Sequence, residues 1–346
     1  MKKETRLKFN AYLERQAELN GIDPINVYST HEVEPSVQQK LFEKLQQDSS
    51  FLDAINIIFK DELVGETIGM EAADTIASTT DTDGEGERKT TDIAKLVAQQ
   101  YFCKKVNFDT HIKHSRLDSW AKFKDFQTRI SSVKAKRIKL DLIMAGMNGV
   151  KRAPTSDRAK NKLLQDVAVG WLQKIRLNAP ERVMGSKTTG DETVAAPIKV
   201  GKGQEYQNLD ALIMDATEEL IGEVYKEDTD LVCIVGRKLL ADKYFPVVNQ
   251  DNKPSEMLAA EMVISQKRIG NLPAVRVPYF PANAVLITKL ENLSLYVQEG
   301  GSRAHIEDVA KKDRVEFYQS ENIDYVVEDY ECAALIENIT FEDKDE

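Results

Sequence analysis

Apolar residues recur at three- and four-residue steps along several stretches of the chain, and that spacing predicts helices. Over 2–19 the stripe is Leu7, Ala11 or Tyr12, and Leu19, stopped by Asn20-Gly21. Over 36–47 it is Val37, Leu41 and Leu45. The longest stripe holds Leu117, Trp120, Phe123, Ile130, Val133, Leu140 and Met144, with Phe126 and Ile143 beside it, and predicts a helix over 116–145. Such a helix would be a rod of ~45 Å, with Ser115 and Asp118 as its cap and Gly146 as its stop. Shorter helices are expected over 164–176 and, behind the cap Asn208, over 209–225, where Leu212, Ala216, Leu220 and Val224 share one side. Two more are expected near 238–244 and 256–264.

Between the helical stripes, short runs rich in branched and aromatic residues read as strands: 51–59, 231–235, 274–277, 284–288, 293–297, 315–318, 325–328 and 334–339. The run at 231–235 is apolar throughout, as a strand buried on both faces requires. Three stretches follow neither period. Residues 26–34, between Pro24 and Pro35, predict a mobile linker open to proteolysis. Residues 184–204 predict an irregular connection or a hairpin. Residues 61–92 are rich in Gly, Thr, Ser, Asp and Glu, and predict a long two-stranded arm with an acidic tip. That arm has too few apolar side chains to make a core of its own. The fold class is α+β.

Charge sharpens the picture. Of 346 residues, 42% are hydrophobic and 30% charged, suited to a globular protein, but the net −10 is unevenly spread. Residues 105–162 hold 15 Lys and Arg against 5 Asp and Glu, whereas 61–87 hold nine acids and no Lys or Arg. A chain divided this way invites self-association or contact between its basic part and a polyanion. No run approaches the ~18 apolar residues of a membrane span, and the first residues lack the apolar centre of a secretion signal. The expected setting is a cytoplasm, with no membrane partner.

No catalytic constellation emerges. Gly-Lys-Ser and Gly-Lys-Thr are absent, and Gly201-Lys202-Gly203 reads as an ordinary turn. His111 and His114 have helical spacing without a carboxylate or thiol nearby to complete a zinc set, so they read as surface imidazoles. Ser131-Ser132-Val133-Lys134 fits an acyl-transfer signature but falls mid-helix without its companion motifs. Cys103, Cys233 and Cys332, far apart, read as small buried hydrophobes. No catalytic residue, cofactor or metal is expected. The basic face of the long helix leaves one alternative to a self-assembling protein: an oligomer that binds DNA without sequence preference.

Longer strings carry a resemblance. Val33-Glu34-Pro35-Ser36-Val37, Ile76-Ala77-Ser78-Thr79-Thr80-Asp81-Thr82, Asp141-Leu142-Ile143-Met144-Ala145-Gly146 and Leu240-Ala241-Asp242-Lys243-Tyr244-Phe245-Pro246, with 4–23, 164–174, 264–273 and 322–330, closely resemble the major capsid proteins of Peduovirus-type contractile-tailed phages. The resemblance implies a Hong Kong 97-like phage capsid fold with N-terminal arm, extended loop, spine helix, peripheral domain and axial domain. It divides the chain into a removable segment 1–31, an N-arm 32–60, an extended loop 61–92, a peripheral domain 93–205 with spine helix 116–145, an axial domain 206–304, and return strands 305–346. It also implies hexamers and pentamers of the chain itself in an icosahedral procapsid, made in host cytoplasm and matured into a virion. Implied partners are a scaffold and maturation protease, cutting near His31-Glu32, a portal protein, and packaged double-stranded DNA held by nonspecific contacts.

Joining both readings, the acidic arm is expected over a neighbouring subunit. Asp81, Asp83, Glu85 and Glu87 would then face cations such as Lys122, Lys124, Arg129 and Lys134. The near-neutral segment 1–31 is expected to bind scaffold through its apolar stripe.

Overall fold

The larger of the two main sheets is built on one fourteen-residue strand, Arg314–Val327. In the computed structural model, which describes residues 1–72, 77, 79, 80, 87, 88, 90, 94–189, 192–240 and 268–342, this strand pairs antiparallel on one edge with Arg303–Val309 and Leu293–Gln298. Lys104–Asn107 and Thr110–Lys113 take its other edge. Asn56–Lys60 lies parallel beside Leu293–Gln298, and His31–Glu32 pairs with Arg303 and Ala304. Because side chains alternate across a strand, the odd positions share one face. Val315 and Phe317 meet the N-terminal segment there, while Ile323, Tyr325 and Val327 enter the main core.

Six strands form the second sheet, in the order Arg268–Ile269, Leu272–Val275, Val232–Val235, Val285–Thr288, Ala333–Ile336, Val183–Met184. One face carries Val285, Ile287, Ala334 and Ile336 against a helix at Leu209–Leu220. The other sends Ile234, Leu286 and Leu335 into the core shared with the first sheet. Burial on both sides explains why Val232–Val235 and 285–287 are apolar throughout.

Seven helices are used below: α1 (Lys3–Leu19), α2 (Pro35–Gln47), α3 (Ser50–Ala54), α4 (His114–Trp120), α5 (Phe126–Asn148), α6 (Trp171–Asn178) and α7 (Leu209–Leu220). Helices α5 and α6 cross closely at Gly146, where a Cβ would overlap the Trp171 ring. Gly146 is thus an interior residue of α5, and Gly149 caps the end. Beside this crossing the Trp171 indole donates to the Ser294 carbonyl at 2.9 Å, and the Tyr325 hydroxyl donates to that of Leu142 at 2.8 Å.

Several expectations need correction. The helix over 116–145 is two helices, broken at 121–125. Across the break the buried apolar positions are Leu117, Ala121, Phe126 and Ile130; the five-residue step in the middle does not fit a continuous 3.6-residue stripe, and the turn absorbs it. The pairing of Ser115 with Asp118 is not a cap, for Asp118 accepts the backbone N–H of Lys2 instead. The strand expected over 51–59 begins only at Asn56, since Ser49 accepts the Leu52 N–H and starts α3. The 164–176 helix begins at Trp171, after an irregular stretch in which Leu164 has φ 60°. Helix α7 ends at Leu220, because the buried Ile221 turns extended and Val224 is out in solvent. Residues 237–240 are helical; the rest of the helix expected there, and all of 256–264, lie outside the described residues. The two strands expected at 315–318 and 325–328 are one.

Nor is 26–34 a loose linker. Pro24–Tyr28 is a 3-10 turn capped by Asp23, Val27 is wholly buried, and His31–Glu32 is a strand. One apolar side chain in the right place anchors a stretch that looks featureless. The cysteines are buried as expected. The 184–204 connection contains a hairpin, Ser186–Thr189 with Glu192–Ala195.

Candidate assembly interface

The arm is a ribbon that pairs only with itself among the described residues. Val64–Ala72 runs antiparallel to Ala94–Phe102 from the row Val64–Phe102 to the row Ala72–Ala94, as a two-stranded sheet separate from the others. Pairing therefore continues beyond 92, the boundary expected from composition. At the base, Tyr101 packs against Tyr296 with ring centroids 5.1 Å apart, and Cys103 and Val326 complete a small buried cluster. Burial pushes the Cys103 thiol up to about 12, so it is inert packing. Lys60 Nζ lies over both tyrosine rings. The Phe102 N–H donates to Asp324, whose carboxylate also holds Lys174 of α6 at 2.9 Å. Above this anchor Leu63, Val64 and Phe102 are each close to half exposed. Of the expected contact acids, Glu87 is exposed, while Asp81, Asp83 and Glu85 lie outside the described residues.

The four expected cations do not form one surface. Lys122 and Lys124 sit exposed in the turn between α4 and α5. Arg129 donates from Nε to both Asp125 oxygens at 2.9 Å and stacks its guanidinium 4.0 Å from the Phe123 ring centroid. That bond holds the Asp125 carboxyl below its ordinary range. Lys134 turns inward, lining a cavity of about 150 Å³ with Tyr12, Gln38, His305 and Glu321. Burial lowers its pKa to about 8, opposed by the charges of Glu321 and Asp109. Glu321 is itself buried, which raises its pKa, although Gln38, Ser302 and Gln319 all donate to it. Lys134 is therefore a half-buried group facing into its own subunit, and a helix stripe cannot disclose that it shares a cavity with Glu321.

Segment 1–31 is docked on its own chain. Phe9, Tyr12, Leu13, Ala17 and Val27 form one cluster with Leu117, Ala121, Phe126, Ile130, Ile306, Val315 and Phe317. The docked face is not the stripe expected to bind scaffold: of that stripe only Tyr12 is in the cluster, while Leu7 faces solvent, as does Ile25. Polar contacts reinforce the fit. Arg6 reaches Asp308 at 2.7 Å, and Lys8 donates to the Ala121 carbonyl at 2.5 Å. Thr5 and the Lys2 N–H both donate to Asp118, holding its carboxyl below the usual range. His114, expected at the surface, is buried with Nε2 at 2.8 Å from Asp308 and Nδ1 at 2.8 Å from Asp313. Burial pushes the Asp308 carboxyl up, but the bonds from Arg6 and His114 together leave it lowered. The expected cleavage region, His31 and Glu32, is the edge strand beside Ala304 and Arg303, with the exposed residues 28–30 immediately before it.

This arrangement has docking strands, exposed apolar patches and internally neutralised charges. Among the described residues no three His, Cys, Asp or Glu side chains gather as a metal site. Comparison with known proteins agrees with that character. The family described as phage major capsid protein, P2 family, matches residues 8–339. The chain is 59% identical over 341 residues to a capsid protein of Escherichia phage P2, covering 98% of this chain and 95% of the relative. It is 40% identical over 344 residues to the major capsid protein of Serratia phage KSP20, covering 99% and 98%. A chain of the satellite phage P4 procapsid that includes the size determination (Sid) protein superposes with a TM-score of 0.79 at 54% identity, covering 99% of both chains. The chain therefore belongs to the P2 family of phage major capsid proteins, structural components of the virion and not enzymes.

Proposed function

We propose that the subunit assembles as hexamers and pentamers of an icosahedral procapsid with a Hong Kong 97-type plan. In this reading the larger sheet and α5, as spine, make the peripheral domain, and the second sheet with α7 makes the axial domain, drawn from the expected 206–304 span without Leu293–Gln298, which belongs to the larger sheet, and completed by Val183–Met184 and Ala333–Ile336. The return segment 305–346 supplies strands to both sheets. A scaffold with its protease assists assembly in the host cytoplasm and cuts near His31-Glu32, a portal protein joins the shell, and double-stranded DNA fills it through nonspecific contacts.

The observation that carries this reading is the nine-residue ribbon Val64–Ala72 with Ala94–Phe102, which adds to neither main sheet and bears exposed apolar side chains at its base. Such a ribbon is marginal alone and is completed by lying over a neighbouring subunit. Exposed ion pairs contribute only about 0–1 kcal/mol each, so the acids set register while ribbon burial supplies affinity. The test is a charge-reversed arm, with Asp81, Asp83, Glu85 and Glu87 replaced by Lys. Electron microscopy of coexpressed subunit and scaffold is expected to show folded subunits and no shells; normal shells in low salt would contradict the reading. The DNA-binding alternative loses support, because the chain belongs to a family of major capsid proteins over residues 8–339.

A further inference from the structure

Besides Lys122 and Lys124, further cations without ion pairs lie elsewhere on the molecule. A cleft of about 660 Å³ opens between the strand Lys104–Asn107, the C-terminal half of α5 and the irregular segment 150–168. Its floor holds the apolar Phe108, Ile138 and Leu142 with Asp141 among them, and its rim carries Lys105, Arg137, Arg152, Arg158 and Lys162. Two of these are committed. Arg137 pairs with Asp141 at 2.5 Å, and the Arg152 guanidinium donates to the carbonyls of Lys105 and Val167. Lys105, Arg158 and Lys162 form no ion pair among the described residues.

The outer wall is built rather than loose. Buried Asp166 accepts the Asp157 N–H at 2.6 Å and the Asn161 side-chain amide at 2.8 Å. Backbone N–H groups of Val150, Lys151 and Ala153 close on the carbonyls of Gln165 and Asp166. These bonds hold the turn that presents Arg158 and Lys162 at the rim. Below them, burial raises the Asp141 carboxyl against the pull of Arg137 and Arg158, so more negative charge is unwelcome deep in the cleft.

We infer that this cleft receives the acidic arm of a second copy of the chain. The inference rests on the arm-over-neighbour reading and names its receptor. Charge complementarity selects the occupant: residues 73–93, beyond the paired rows, bring six acids against the two cations Arg88 and Lys89 to a rim with three cations free of ion pairs. A floor of apolar side chains around the Asp141 carboxyl suits a polypeptide better than a phosphate backbone. Reach makes the occupant another copy. The cleft begins at Lys105, next to the base of the chain's own arm, whereas nine paired rows carry the acidic segment about 30 Å away. Residues 73–93 could return to their own cleft only fully extended and doubled back, about 35 Å at most.

The test combines three full-length variants, each coexpressed with scaffold: Arg158→Glu with Lys162→Glu, Asp83→Lys with Glu85→Lys, and all four together. Each reversed pair alone is expected to lower shell yield about tenfold, with the subunit's melting unchanged, and the four-site variant to recover to within about twofold. If a reversal unfolds the subunit, the milder Arg158→Ala with Lys162→Ala decides, with an expected loss of about threefold. Normal assembly of the cleft variant beside failure of the arm variant overturns the cleft and leaves the arm reading standing. Normal assembly of both overturns the arm reading itself. Normal shells from the cleft variant that retain less nucleic acid would assign the cleft to the genome and overturn the inference.

Discussion

The N-terminal segment and the arm are both appendages to the two-sheet body, and they solve the same problem in opposite ways. Segment 1–31 places Phe9, Tyr12, Leu13, Ala17 and Val27 against its own subunit. The arm anchors its base with Tyr101 and Cys103 and leaves Leu63, Val64 and Phe102 half exposed. Five well-placed apolar residues make a segment complete in itself. An arm without them is complete only in an assembly, and its charge chooses where.

The contrast fails if segment 1–31 is held only weakly. Phe9→Ala is therefore expected to lower subunit stability by about 3–5 kcal/mol in urea denaturation; a loss under about 1 kcal/mol would mean the segment is not part of the folded unit. The inward-facing position of Lys134 predicts a smaller effect with a defined sign. Its folded pKa lies below the unfolded value, so the unfolded chain binds more protons between about 8 and 10.5. Relative to Lys134→Met, the native protein should gain on the order of 1 kcal/mol as pH rises through that window; parallel curves would place Lys134 in solvent. Smaller still is the Arg6 clamp. Asp308 has a lowered pKa, so its contribution is full above the ordinary carboxylate value of about 3.9 and is lost as pH falls through the folded one. Intrinsic-rate-corrected hydrogen exchange over 3–19 should accelerate in that acidic range and already be fast in Arg6→Ala at pH 7. The smallest effect on the subunit is expected at the arm: Phe102→Ala should change melting by under about 0.5 kcal/mol and still reduce shell yield.

The same contrast explains what could be read from sequence. The arm was legible because it lacks a periodic apolar pattern, and α1, α2 and α7 because they have one. The strand Arg314–Val327 reads as two pieces because Gln319, Ser320 and Glu321 between them are buried polar residues, and Glu321 is held by Gln38 and Ser302, partners no local pattern reveals. Distance in sequence hid the rest of the candidate interface. His114 is held by Asp308 and Asp313, and Lys134 faces Glu321, each pair nearly two hundred residues apart. The basic excess of 105–162 was visible as a total. Which of its cations are neutralised in place depends on single contacts, such as Arg129 with Asp125 and Arg152 with the Lys105 carbonyl.

Hydrogen exchange compared between the soluble subunit and the assembled shell puts the division between the two appendages to the most direct test. Amides of the paired strands 64–72 and 94–102 should exchange readily in the subunit and become at least about tenfold slower in the shell, while those of 3–19, in unprocessed protein, are protected in both. Equal protection of the ribbon in subunit and shell would contradict its completion by a neighbour.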